Sequence, residues 1–390
     1  MRRFTPFLVL LLLISTVAAD GPADNVADNV RAVPPLGLEL SEADRNELSG
    51  GLADLNAKID QLRKSRDLKL QSRIPDVEIF SRAIRDAIKH RELFHKNDIG
   101  KARQVLAEGH SRADALQNGN TPWTKQTGLV VRGFRSRIDN TVQPYGVVVP
   151  ESYDFSGATQ YRTDVWLHGR GELSTESLFI HERMNRVGQI SPANTLVVHP
   201  YGRYSNAFKF AGEIDVLEAL DHAKSQYHVD ENRTSIRGFS MGGAGCWQFA
   251  VHYPGQFFAA TPGAGFSETP EFLKSFQGET LTPTWYEKKL WQLYDCTGYA
   301  ANLFNVPTIA YSGELDIQKQ AADIMEQAMA DQGLKLTHRI GPQTKHAIHP
   351  DSLKEIESKL ANLADQGRDR APTTIDFTTY TLRYNRSFWL

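Results

Sequence analysis

Cysteine is nearly missing from this sequence: Cys246 and Cys296 are the only two among 390 residues. A zinc site built on thiolates alone needs four, and none of the 12 histidines falls into an H-E-x-x-H pair. No metal and no cofactor is therefore expected. An excess of one charge is missing too. Lys and Arg number 44 against 46 Asp and Glu, a formal net charge of −2, with the cations scattered rather than blocked together. That balance argues against nucleic acid as a partner. Long hydrophobic runs are lacking as well. The one apolar run, Phe7 to Val17, is about half of the roughly 20 residues that a membrane-spanning helix needs. It follows Met1-Arg2-Arg3 and precedes Ala18-Ala19-Asp20, the order of a secretory signal peptide with cleavage after Ala19. The mature chain is expected to be secreted or periplasmic, without a membrane span. No cysteine stands at the cleavage point, so lipid attachment is not indicated. In an oxidising compartment Cys246 and Cys296 either pair or stay as buried thiols, and the place of Cys246 on a predicted core helix favours thiols.

What is present divides the chain into a leader (1–19), a polar linker containing Pro34-Pro35 (20–37), a helical appendage (38–120), a large domain (121–366) and a C-terminal segment (367–390). In the appendage, Ser41-Glu42-Ala43-Asp44 can form a capping box, and Leu48, Leu52, Leu55, Ile59 and Leu62 recur at alternating four and three. Two heptads are too few to establish a coiled coil. Amphipathic stretches follow through Val77, Phe80, Ile84 and Ile88, and through Ile99, Ala102, Leu106, Ala113 and Leu116. This unit packs on the domain, covers its entrance or mediates dimerisation. Packing is the plainest reading, and the oligomeric state stays open.

The domain reads as α/β. Strand patterns at 129–134 and 145–149 resemble an antiparallel opening. Apolar strands at 165–168, 195–199, 235–239, 258–262, 306–311 and 334–340 then alternate with helices at 213–226, near 318 and at 351–364. Strands apolar on both faces, separated by amphipathic helices, imply a mostly parallel sheet covered on both sides. The alternation pauses between Ser267 and Asn305, where Phe272, Phe276, Trp285, Trp291, Tyr294 and Tyr299 either wall a pocket or hold the segment to the core. The stretch 374–384 is β-prone, suited to a sheet edge or to the start of another β-module.

One pentapeptide carries chemistry: Gly238-Phe239-Ser240-Met241-Gly242, between a β-rich run and a small-residue helix start. G-x-S-x-G is the nucleophile elbow, a turn so tight that side chains two residues either side of the serine would collide. The same pattern also occurs as an ordinary glycine-rich connection. Upstream, the strand Val165-Trp166-Leu167 ends in His168-Gly169-Arg170-Gly171, whose glycines let backbone N–H groups approach an oxyanion. The amides of Arg170 and Met241 are the expected donors. Downstream, Glu314 and Asp316 follow a buried strand, where an acid orients an imidazole or merely caps the next helix. His346 lies in the loop after the last strand and is the natural general base, with His349 as the alternative.

The succession serine, acid, histidine is that of α/β-hydrolases. From about Gly128 to Ala364 the chain resembles that fold, in its prolyl-oligopeptidase-like and secreted-esterase branch. The elbow Gly238–Gly243 is similar to those of feruloyl esterases. Leu167–Glu172, Pro262–Phe266 and Ser312–Asp316 are similar to exported bacterial proteins grouped with that peptidase family. The resemblance favours Asp316 over Glu314 as the acid. One departure is that no seven-bladed β-propeller precedes the domain, so size selection of peptides does not carry over. The expectation is a secreted serine hydrolase cleaving a carboxylic ester or peptide through Ser240, His346 and Asp316. The competing class is a non-catalytic, α/β-hydrolase-like binding or scaffold protein.

Overall fold

The computed structural model describes residues 32–278 and 281–390. The expected leader and the first part of the linker lie outside them. Four helices come first: α1 (Glu42–Arg63), α2 (Leu68–Gln71), α3 (Pro75–Lys89) and α4 (Lys96–Gln117). Ser41 caps α1, its Oγ accepting from the Asp44 N–H at 3.1 Å. The leucine–isoleucine seam faces inward, with Leu48, Leu55, Ile59 and Leu62 buried.

The strands and remaining helices then alternate: β1 (Gly128–Arg135), β2 (Val142–Val149), β3 (Tyr161–Leu167), α5 (Glu176–Asn185), β4 (Thr195–Pro200), α6 (Ala211–Gln226), β5 (Val229–Phe239), α7 (Met241–His252) and β6 (Ala259–Gly263). After two short helices, α8 (Pro270–Gln277) and α9 (Trp285–Trp291), come β7 (Ile309–Gly313), α10 (Lys319–Asp331), β8 (Thr337–Gly341) and α11 (Pro350–Gln366). The strands form one sheet in the order β1-β2-β4-β3-β5-β6-β7-β8. β1 and β2 pair antiparallel, as do β2 and β4, and every pairing from β4 onward is parallel. This is an α/β-hydrolase sheet. Side-chain alternation divides the core between its faces. Val165, Leu167 and Ile236 pack under α6, α7 and α10, while Trp166, Val197 and Phe239 pack with Ile356 and Leu360 of α11.

The helical unit shares a core with β1 and β2. Asp76 of α3, 1% exposed, accepts from Arg132 of β1 at 2.9 and 3.1 Å, from the Gly133 N–H and from the Trp123 indole. Burial opposes its charge, but the Arg132 guanidinium and these donors hold its carboxyl below the usual range. A second buried cluster ties the middle of the sheet: Asp164 on β3 accepts from Arg162, Ser235 and Arg237, and Arg237 reaches on to Glu357 of α11.

The stretch 374–384 carries no strand. Its backbone bonds are taken instead by two side chains, Asn302 meeting the N–H and C=O of Thr378, and Asn305 those of Asp376. Tyr384 and Arg383 then donate to the buried Glu213 of α6. Cys246 and Cys296 are buried free thiols whose ionisation burial pushes up. Among the described residues no helix is long and apolar enough to cross a membrane.

Candidate active site

Loops leaving the C-terminal ends of β3, β5, β7 and β8 meet at Ser240, since parallel strands in one sheet end on the same edge. Ser240 has φ +60° and ψ −124°, a conformation that costs a non-glycine residue energy and holds only where its surroundings enforce it. The flanking glycines are what allow it. A Cβ on Gly238 would lie 2.2 Å from the Gly242 carbonyl oxygen, and one on Gly242 would lie 1.9 Å from that of Leu167. The Ser240 N–H donates to the Gly263 carbonyl at 2.8 Å, fixing the turn against β6. Met241 is the first residue of α7, so its amide lies at the positive end of that helix.

The Ser240 Oγ stands 2.9 Å from Nε2 of His346, and Nδ1 of the same ring stands 2.7 Å from Oδ2 of Asp316. Asp316 is buried. Its other oxygen accepts the Gln318 N–H at 2.9 Å. An ionised carboxylate accepts only, so the neutral ring carries its proton on Nδ1 and turns a lone pair toward Ser240. The two alternatives lie elsewhere. Glu314 accepts from the backbone and side-chain amides of Gln343, and His349 is the N-cap of α11, its Nδ1 accepting from Asp351.

Gly169 brings the loop after β3 against the elbow: a Cβ there would lie 3.7 Å from that of Ser240. Arg170 follows it, its side chain directed to Glu172 at 2.9 Å. The loop is braced by His168, which bonds the Tyr201 carbonyl at 2.9 Å, and by the Gly171 N–H donating to Ser205.

Sequence reading missed the groups that hold His346 in place. The Tyr311 hydroxyl donates to the Ala347 carbonyl and accepts from the His349 N–H. The Leu315 N–H donates to Thr344, and Phe239 lays its ring 4.8 Å from the imidazole. Tyr311 and Phe239 read as apolar strand residues, and nothing in the local pattern marks the hydroxyl of one or the ring face of the other as a support for the histidine. Of the two uses expected of the aromatic segment, holding it to the core is the one seen, at Tyr299. Tyr299 is core, edge-on to His252. Tyr294 accepts from the Phe210 N–H, Phe272 stacks between Phe266 and Phe276, and Trp285 is exposed.

The prolyl oligopeptidase family model matches residues 209–366, from the start of α6 to the end of α11. No curated protein matches the chain. Solved structures similar to it include a protein described as a dipeptidyl aminopeptidase IV from Bacteroides ovatus, with 15% identity over 62% of this chain and 36% of that one, at a TM-score of 0.45. This chain therefore spans about a third of that protein. A ferulic acid esterase shares 17% identity over 61% of this chain and 99% of its own, at a TM-score of 0.43. The S-formylglutathione hydrolase of Staphylococcus aureus shares 15% over 61% and 99%, at 0.42. Likenesses of this size say nothing about what this chain acts on. The family match spans the elbow and the loops bearing Asp316 and His346, so residues 209–366, on this mostly parallel sheet, are similar to the prolyl oligopeptidase family.

Proposed function

We propose that the chain is an exported serine hydrolase that cleaves an acyl bond, a carboxylic ester or a peptide, through Ser240, His346 and Asp316. The observation that carries this reading is the unbroken relay of 2.9 Å and 2.7 Å from hydroxyl to imidazole to buried carboxylate. As Ser240 Oγ bonds to the carbonyl carbon, its proton passes to Nε2 of His346, and Asp316 stabilises the imidazolium that results. The carbonyl electrons move onto oxygen, which the amides of Met241 and Arg170 receive. When the C=O re-forms, the bond to the leaving alcohol or amine breaks and Nε2 returns the proton to it. A water then gives its proton to Nε2, attacks the acyl-serine and releases the acid with Ser240 restored. The same three groups serve esters and peptides, because the difference lies in the substrate pocket and in protonation of the leaving group. Export rests on the sequence of residues 1–20, and the first residue of the mature protein, expected to be Asp20, tests it.

Ser240→Ala is expected to lower kcat on p-nitrophenyl acetate by about a million-fold while the fold persists, since triad members act as a unit. A fluorophosphonate probe should label wild type and spare the variant. Equal rates, or labelling that ignores Ser240, would remove this residue from the reaction and favour a binding protein. A panel of feruloyl, acetyl-sugar and prolyl-peptide substrates separates ester from peptide.

A further inference from the structure

A pocket of about 200 Å3 opens beside the loop that follows β3. Gly169 and Arg170 form its near wall, and a Cβ on Gly169 would fall 3.7 Å from that of Ser240, so the pocket adjoins the loop that borders the serine. The far wall is built from Arg183 and Glu182 of α5, Gly188, and His199 of β4. Gly188, at φ +100°, marks where the polar groups meet. A Cβ there would fall 3.1 Å from Nη1 of Arg183 and 3.5 Å from Nε2 of His199.

Both groups are buried further than their protein partners justify. His199 is 4% exposed, and its Nε2 has no hydrogen-bond partner. The ring's one bond goes to the backbone of Val187. Arg183 is 7% exposed, and among the described residues its hydrogen bond goes to Glu182. That neighbour's side chain is 49% exposed and takes one edge of the fork. Space has been cleared for this arginine: a Cβ on Gly146 of β2 would fall 2.7 Å from its Cδ. A guanidinium carries five donors, and burying it without a matching anion is costly. The edge of the Arg183 guanidinium away from Glu182 offers donors, whereas His199 Nε2, the other ring nitrogen being bonded to Val187, offers a lone pair.

We propose that this pocket is a substrate subsite for a carboxylate, held by the free edge of the Arg183 guanidinium, with His199 Nε2 accepting from a water or hydroxyl beside it. The proposal rests on the hydrolase reading above and deepens it by naming a substrate class: acyl compounds with a second, ionised carboxyl group. Arg183 fits the role because its fork matches a carboxylate in two parallel bonds. The carboxylate can come from the acyl half of the substrate or from the leaving half, and the chemistry of the pocket is the same.

Two ester pairs test this. Mono-p-nitrophenyl succinate against p-nitrophenyl butyrate puts the charge on the acyl side, and 4-acetoxybenzoate against phenyl acetate puts it on the leaving side. In one pair the anionic ester should have a kcat/KM about tenfold or more above its neutral partner, the worth of one charged hydrogen-bonded contact. Arg183→Met should bring that ratio toward one, and Arg183→Lys should keep part of it. No preference in either pair, or a preference that survives both substitutions, overturns the proposal. Failure of the hydrolase reading looks different, since then no ester is cleaved in a Ser240-dependent way. The pocket is then read by binding: free succinate or benzoate should raise the Tm of wild type and do less in Arg183→Lys. No rise in wild type sinks the subsite.

Discussion

Replacing Asp316 by Asn tests the site most sharply, because its hydrogen bonds dictate how the amide must sit. One oxygen of Asp316 is committed to the Gln318 N–H at 2.9 Å, and the other faces His346 Nδ1 at 2.7 Å. An Asn has a single oxygen. If that oxygen keeps the backbone bond, the NH2 faces the ring, and two donors cannot bond each other. Nδ1 must then become the acceptor, which moves the ring proton to Nε2, the nitrogen 2.9 Å from Ser240. The imidazole can no longer take the serine proton, and the developing imidazolium loses its counter-charge. Side-chain volume hardly changes, so the effect falls on kcat rather than on folding. In triad enzymes a forced wrong tautomer lowers kcat by about ten-thousandfold. At ~1.36 kcal/mol per decade that is ~5.4 kcal/mol of transition-state stabilisation. Steady-state hydrolysis of p-nitrophenyl acetate and a thermal melt, run side by side, measure both quantities. A variant that keeps more than a tenth of wild-type kcat would refute the assignment of Asp316. The matched control is Glu314→Gln: its partners are the amides of Gln343, and kcat should change by less than about threefold.

Further outcomes follow from the packing. Gly242→Ala places a Cβ against the Leu167 carbonyl, so both activity and soluble yield should fall, with at least ~3 kcal/mol lost in urea denaturation; a stable, active variant would contradict the elbow geometry. Asp164→Ala removes the carboxylate shared by the buried Arg237 and Arg162, leaving them only Glu357 as counter-charge among the described residues, and should cost about 3 kcal/mol, whereas a loss below ~1 kcal/mol would mean that the cluster contributes little. Burial lowers His222 to about 4 and His252 to about 3. Between those values and about 6.5 the unfolded chain binds more protons, so stability is complete above pH 6.5 and falls on acidification, by up to ~1.4 kcal/mol per pH unit for each ring. Both nitrogens of His252 lack partners, and its ring stacks 3.7 Å from Tyr384. His252→Phe should therefore raise Tm and flatten this acid limb; an unchanged limb would show that His252 does not titrate on unfolding.

The elbow, the α/β class and the chain order of the three site residues were legible in the sequence because each rests on local physics. A strand-to-helix turn with glycines two residues either side of a serine is imposed by backbone sterics alone. Apolar strands and amphipathic helices declare themselves through period. The leucine seam of α1 was likewise readable as a period of four and three. Element boundaries were less so: β5 begins at Val229, ahead of the expected Ser235, since Asp230 to Arg233 carry no apolar signal.

What stayed out of reach depends on residues distant in sequence. Local composition offers Glu314 and Asp316, or His349 and His346, as nearly equal pairs. Only the packing of the loop after β8 against that after β7, through Leu315, Thr344 and Tyr311, turns one member of each pair toward Ser240. The β-prone tail is a failure of the same kind: Asn302 and Asn305, some 70 residues away, take its backbone bonds and leave no strand to pair. The pocket beside Gly169 was invisible because it joins α5, β4 and the loop after β3, and neither Arg183 nor His199 belongs to a motif. By itself the sequence determined the reactive turn and the layered scaffold, since periodicity and backbone sterics act within a few residues. Tertiary structure decided which acid and which imidazole line up on Ser240, because those contacts are made between strand ends that only the closed sheet brings together.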